Sequence, residues 1–387
     1  MAKELHSGKL KPSDLDQELL STTYKELNKG VSEGYGTRFN NLDATNTKTV
    51  QQLKQNIYRF SAAKTYQELQ KFNTYLTDKD GKERSFNDFK KLVLEKHPTY
   101  NVNYLQAEYQ TAKASAQMAA KWQQFQRNKS RYPNLRYKTV GDEHVRDEHR
   151  TLDGFTAAID DPIWDKIYPP NDWRCRCYVQ QTNSTVSKVT PKLDFMKPDF
   201  SLNVGKTGVV FNDKTHPYYI IPKRDEKSVQ TAFESFKLQA KYGKAKYVSN
   251  SGGKVFVSDF AEAETLYSNY TVAKTLADKG MTLKIQPKID ATILPKDTKS
   301  TYLIGKKSAE RVTRFKLDFI ETFTTAEKQG VSVVIIDLID NKTKITKVVT
   351  EVNKALEDKK AYPSITEVIV ISKDRSKVER IKRNVKV

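Results

Sequence analysis

The spacing of apolar residues changes period along this chain, and no single layer of secondary structure can satisfy both periods. Val50, Leu53, Ile57, Phe60, Leu69, Phe72 and Leu76 recur at helical spacing. After residue 250 the runs VSVVIIDLI and EVIVIS are continuous apolar stretches between polar flanks, the pattern of strands buried on both faces. Between these regions, from about Arg131 to residue 225, the chain is rich in turn residues and aromatics and has no sustained period. Over 387 residues these three textures predict an α+β multidomain protein. It would have a helical N-terminal half, a small irregular middle domain containing Cys and His, and a C-terminal α/β domain. The expected divisions are a helical region over 1–100, a core over 101–225, a helix and linker over 226–253, and the α/β domain over 254–387. The linker is placed at SNSGGK, residues 249–254.

Within the helical half, Ser85 with Asp88 three residues on makes an approximate capping box, and His97-Pro98 is expected to stop that helix. The next stripe, Leu105, Tyr109, Ala112, Ala116, Ala119, Trp122 and Phe125, reads as core whose small residues admit a neighbouring helix closely. DEKSVQTAFESFKLQAKYG is a further helix candidate. In the C-terminal part, helices are expected in TLYSNYTVAKTLADKG, RFKLDFIETFTTAEKQG and TKVVTEVNKALEDKK, with strands at MTLKIQP and TKSTYLIG and a basic terminal helix at SKVERIKRN.

Lys and Arg number 67 against 47 Asp and Glu, a net charge of +20. Such a surplus suits polyanionic partners, DNA or RNA, because each neutralised phosphate releases counterions. No stretch approaches 18 uninterrupted apolar residues, so no membrane-spanning helix is expected. The first residues, MAKELHSGKLKPSD, lack the apolar segment of a secretory leader.

Chemistry concentrates between Asp142 and Cys177. If RCRCYV is extended, the sulfurs of Cys175 and Cys177 project to one side, since strand side chains alternate. A disulfide across so short a ring would be strained. With His149, two thiolates and an imidazole form a donor set suited to zinc. The alternative is a pair of half-buried thiols beside a hydrogen-bonded histidine. The fourth ligand is open: Asp142, Asp153, Asp161 and His216 are available. His144 lies five residues before His149, which on a helix turns it about 140° away. Neither a Ser-His-Asp order nor an HExxH motif is present in this segment.

The string YKTVGDEHVRDEHRTLDG, followed by DDPIW and PPNDWRCRC, resembles phage Mu protein F-like minor head proteins. The positions that carry the resemblance are Arg146, His149, Leu152, Gly154, Trp164, Pro169, Pro170, Cys175, Arg176 and Cys177. It extends over roughly residues 45 to 222 and takes in AEYQTAKASAQMAAKW and SLNVGKTGVVFNDKTHPYY. It implies a structural virion protein of a tailed phage or prophage, associated with the portal vertex and head morphogenesis. Its partners would be portal and head proteins, it would oligomerise through the head assembly, and it would pass through the host cytoplasm during assembly and DNA packaging.

The C-terminal part resembles, more loosely, toxin nuclease domains of contact-dependent inhibition systems, through NYTVAKTLADKG and LIGKKSAE. Those domains place a Pro-Asp before the Leu-Ile-x-Gly and a Glu-x-Lys after it, and their carboxylates hold a divalent metal. Here Ser300-Thr301-Tyr302 stands in place of the Pro-Asp, and Glu310 is followed by Arg311-Val312 without the lysine. The expectation is a nuclease-like fold without catalysis, in which Arg311 and Arg314 contact nucleic acid. Were it active, as a carried toxin cleaving RNA such as tRNA, Glu310, Arg311 and Tyr302 would be the catalytic candidates.

Overall fold

The computed structural model describes residues 1–295, 300–358 and 360–383, in two compact units, Met1–Phe236 and Lys237–Val387. Unit 1 begins with the short helix α1 (Ala2–His6), then α2 (Gln17–Tyr35), α3 (Thr47–Asn73), α4 (Phe86–Pro98) and α5 (Leu105–Arg127). The periodic apolar residues of α3 from Val50 to Phe72 are buried, and Leu76 lies beyond its end. Asp16 caps α2 by accepting the Leu19 N–H, and Ser85 caps α4 by accepting the Asp88 N–H.

Helices α2 and α5 pack with their backbones nearly touching. A Cβ on Gly34 would stand 2.0 Å from the Lys113 carbonyl oxygen, and one on Gly30 3.0 Å from that of Tyr109. Ala112, Ala116 and Ala119 are fully buried on α5, so small side chains on both helices permit the approach. Pro98 does not stop the helical path as expected. It is the last residue of α4, and a π-helical turn, Thr99–Tyr104, carries the chain directly into α5. The extra residue per turn accommodates the missing proline N–H.

A small antiparallel sheet follows, in the order β2-β1-β3: β1 (Asn134–Lys138), β2 (Thr156–Ala158) and β3 (Tyr178–Thr182). Leu135 and Tyr137 of β1 alternate into the core opposite Gln181 and Val179 of β3. Short helices α6 (Asp147–Arg150) and α7 (Trp164–Ile167) flank β2. After them come α8 (Val204–Thr207) and α9 (Lys223–Gln239).

Unit 2 holds an eight-stranded mixed sheet whose spatial order follows the sequence, from β4 (Tyr247–Val248) and β5 (Lys254–Val257) at one edge. Helix α10 (Leu266–Ala277) leads to the antiparallel meander β6 (Leu283–Ile285), β7 (Tyr302–Ile304) and β8 (Lys307–Val312). Helix α11 (Ile320–Lys328), β9 (Val333–Asp337), α12 (Ile345–Ala355) and β10 (Glu367–Ile371) complete a parallel β8-β9-β10 set. Strand β11 (Val378–Lys382) closes the far edge. Val334, Ile336, Val368 and Val370 pack beneath α11 and α12 with Phe319, Phe323, Val348 and Val352.

Two expectations are corrected here. SKVERIKRN forms an edge strand antiparallel to β10, where a helix was expected. Val378 and Ile381 sit at a helical interval, but Ile381 pairs with Val368 and packs on the core, and the charged positions blunt the exposed edge. SNSGGK turns β4 into β5, so it is not a linker. Ser249 Oγ accepts the Gly253 N–H and donates to the Ala277 carbonyl, and a Cβ on Gly253 would stand 2.1 Å from that same oxygen.

Candidate functional site

Cys175 and Cys177 lie on the extended run into β3, and His149 on the single turn of α6. Arg174 has a left-handed backbone (φ 59°), and the Cys175 N–H then closes a turn onto the Asp172 carbonyl. All three donors are buried, with 4%, 4% and 7% exposure for His149, Cys175 and Cys177. Both sulfurs lie 3.7 Å from one atom, His149 Nδ1. A single ring nitrogen cannot be a good hydrogen-bond partner to two thiols at once. Zinc bonds of about 2.3 Å to sulfur and about 2.05 Å to nitrogen, at the tetrahedral angle, place sulfur and nitrogen about 3.6 Å apart. The donor set and its spacing therefore fit a metal ion better than a pairwise hydrogen bond. A thiol of Cys177 donating to Cys175 draws the Cys175 thiol down, and the same contact with burial pushes Cys177 up.

Around the donors, paired arginines fix the loops. Arg176 makes a fork to Asp142 at 2.6 and 2.8 Å, which holds that carboxyl below its usual range. Arg146 reaches Asp172 at 3.3 Å and donates to the Trp173 carbonyl, and Lys197 meets the same Asp172 at 2.7 Å. Leu152 and Trp164 are fully buried, and the Trp164 indole donates to the Ala158 carbonyl. Gly154 takes φ 82° and bonds back to Tyr137 of β1. Pro169 and Pro170, joined by a cis bond, lead into Asn171, which accepts the buried Tyr137 hydroxyl.

Among the described residues, no fourth His, Cys, Asp or Glu joins the cluster. Asp142 is paired with Arg176, Asp153 is held by Lys138 and Thr139, and Asp161 accepts the Ile163 N–H. His216 packs among Phe60, Trp173 and Tyr218. His144 is exposed and lines a void of about 20 Å³ beside the cysteines. The Arg146–Asp172 and Arg176–Asp142 pairs were not foreseen. Their only sequence signal is the density of charge in DEHVRDEHR and NDWRCRC.

The candidates of unit 2 divide between the two faces of its sheet. Glu310 and Thr301 share one face, where Thr301 donates its N–H (2.7 Å) and hydroxyl (2.5 Å) to the Glu310 carboxylate. Arg311 and Tyr302 point to the other face. Arg311 is bound to the fully buried Asp337 and to Ser268, and the buried Tyr302 hydroxyl donates to Asn269. Burial pushes that phenol up. Arg314 is exposed and lines, with Glu262, Lys288, Glu310 and Lys316, a cleft of about 1020 Å³.

Comparison with known proteins turns on the segment that builds the cysteine site. Residues 35–180 match the family model of phage Mu protein F like proteins. This part of the chain is similar to phage Mu protein F like proteins. Seventy residues are 44% identical to the Mu-like prophage FluMu F protein of Haemophilus influenzae, covering 18% of this chain and 17% of that protein. Eighty residues are 32% identical to the putative capsid assembly protein F of Escherichia phage Mu, covering 21% and 18%. The matched stretches thus span less than a fifth of either relative. A solved CdiA-CT/CdiI toxin and immunity complex from Burkholderia pseudomallei aligns at a TM-score of 0.25 and 19% identity, over 31% of this chain and 86% of that one. That likeness is too slight to carry an argument. Among the described residues, no helix is long and apolar enough to cross a membrane.

Proposed function

We propose that this protein is a minor head protein of a Mu-like tailed phage or prophage, acting at the portal vertex during head morphogenesis and residing in the virion. The observation that carries the reading is the Mu F-like match over residues 35–180, which includes His149, Cys175 and Cys177. Its partners would be portal and head proteins, with host cytoplasm as the place of assembly. Intact particles should contain the full chain in the head fraction, and a pull-down with the portal protein should retain it. A chain absent from purified heads would sink this reading.

Within that role the cluster binds one zinc ion, ligated by His149, Cys175 and Cys177, which ties α6 to the run before β3. Zinc here would supply a structural cross-link that a small, irregular region needs. Purified protein should carry about one zinc per chain, and Cys175→Ser should lose it and lower the melting temperature. Metal analysis showing none, with both thiols freely titratable, overturns the assignment.

Unit 2 serves as a basic, nuclease-like module without catalysis, and Arg314 is its nucleic-acid contact. Arg311, bound to Asp337, is part of the module's interior. The reading is supported by Glu310 being engaged by Thr301, with Arg311 and Tyr302 on the opposite face. The cleft with Glu262, Glu310 and Lys288 favours a second reading, a carried toxin that cleaves RNA. Expression of the full chain separates the two, since growth arrest relieved by Glu310→Ala would establish the toxin.

A further inference from the structure

A tetrahedral ion on these three donors would have one position left over, and three arginines stand around it beside His144, Val140 and Val145. The void of about 20 Å³ beside the donors is bordered by His144, Arg146, Arg174, Arg176 and the two cysteines. A space of that size admits one water-sized donor atom, since about 10–15 Å³ suffices. The same six residues also line a groove of about 1160 Å³, to which α5 adds Lys113 and Lys121. No carboxylate lines that groove among the described residues.

The charges there are unevenly compensated. Arg146 and Arg176 are shared with Asp172 and Asp142, and Lys113 with Glu33. Lys121 and Arg174 make no salt bridge among the described residues; Lys121 is half-buried, its ammonium 5.1 Å from the centre of the Tyr178 ring. Two thiolates and a neutral imidazole cancel the charge of a zinc ion, so an added anionic ligand leaves the centre with a net negative charge. Arg174 borders the void and Lys121 the groove it opens from, which supplies the compensating charge.

We propose that the fourth metal position takes an oxyanion from outside the chain, a carboxylate or phosphate oxygen drawn in along this basic rim. The centre is then an anion receptor as well as a cross-link. The inference rests on the metal assignment above, and the test separates the two.

Full-length protein loaded with cobalt(II) reports the coordination sphere through its ligand-field spectrum. Titration with acetate and with inorganic phosphate at constant ionic strength should move that spectrum saturably with at least one of them. The anion that acts identifies carboxylate or phosphate as the ligand. Arg174→Ala and Lys121→Ala should each weaken the anion about threefold, the worth of one partly exposed charge, while still binding cobalt. Cobalt bound one to one through both thiolates, with a spectrum that neither anion moves, overturns the inference and leaves the metal assignment standing. If His144→Ala then makes the spectrum anion-sensitive, His144 is the fourth ligand. Protein that binds no cobalt removes both.

Discussion

Each unit buries a three-membered charge cluster, and the two clusters carry opposite surpluses. In unit 1, Lys64 of α3 meets Glu108 of α5 at 2.5 Å, with Glu68 one turn along α3; all three are at most 3% exposed. Glu68 accepts from Asn101 through one oxygen, and its other oxygen is buried with no hydrogen-bond partner among the described residues. In unit 2, Asp337 at the end of β9 is shared by Arg311 and Arg375, both largely shielded from solvent. One cation thus serves two carboxylates in the first cluster, and one carboxylate serves two cations in the second. The difference matters because a carboxyl can neutralise by taking a proton, whereas a guanidinium cannot lose one in a protein. Burial pushes Glu68 up to about 7, drives the Lys64 ammonium down and raises Glu108, each of that pair opposed by the other's charge. The unit 1 cluster can therefore adjust its charge near neutral pH, and the unit 2 cluster must be compensated geometrically.

The sharpest way to break this contrast is to remove the single carboxylate of unit 2. Asp337→Ala leaves two largely shielded guanidinium groups without their shared counter-ion, and should cost about 3 kcal/mol of stability. Lys64→Met is the matched change in unit 1, and should cost about 2 kcal/mol at neutral pH, because Glu108 can take up a proton. Denaturant unfolding of the full chain, with hydrogen exchange locating the loss at β9 or α3, ranks the two. Equal costs would mean that proton uptake does not relieve the first cluster.

A third change sharpens the comparison through pH. The folded-state value for Glu68, about 7, exceeds the 4.5 expected of an unfolded chain. Between those values the folded protein keeps a proton that the unfolded chain has released, so stability should fall as pH rises from about 4.5 to 7 and level off above. The full cost approaches about 3 kcal/mol. Glu68→Gln should remove that slope and stabilise the protein at pH 8, whereas Asp337→Asn should leave the slope intact. Melting temperatures across this window check both statements.

Neither cluster could be read from the sequence, because the partners lie 44 residues apart in one and 26 in the other and carry no local pattern. What was legible follows from period. The apolar stripe of α3 from Val50 to Phe72, that of α5 from Ala112 to Phe125 and the runs of β9 and β10 are buried as their spacing implies, while Leu105 and Tyr109 at the start of α5 are half-buried. The convergence of Cys175, Cys177 and His149 was legible too, since extended alternation sends both sulfurs to one side. Strand β8, KSAERV, was missed because its faces carry Glu310 and Arg311 in place of alternating apolar residues. The π-helical passage past Pro98 was hidden because a proline usually ends a helix, and here α5 takes up the chain at once. The small residues of α5 foretold that some helix approaches it closely, but neither α2 as that helix nor the glycines of α2 that complete the approach were legible.

The smallest expected effect falls on Glu310, and it tests whether position in a strand decides the fate of an acidic residue. Glu310 and Arg311 are adjacent in β8, yet alternation sends the arginine to the buried cluster and the glutamate to the rim of the cleft. Glu310 is half-buried, and its carboxylate contacts are the Thr301 amide and hydroxyl and its neighbour's own amide. Glu310→Gln keeps an acceptor for the Thr301 N–H and removes only the charge on that bond. The loss should be about 0.5–1 kcal/mol, well below that of Asp337→Ala one strand away. The variant should bind nucleic acid slightly more tightly at low salt, because the cleft around Lys288 and Arg314 loses a negative charge, and the gain should vanish as salt screens it. A destabilisation as large as that of Asp337→Ala would show that Glu310 belongs to the interior of unit 2, and the division of β8 into a structural and a solvent-facing side would fall with it.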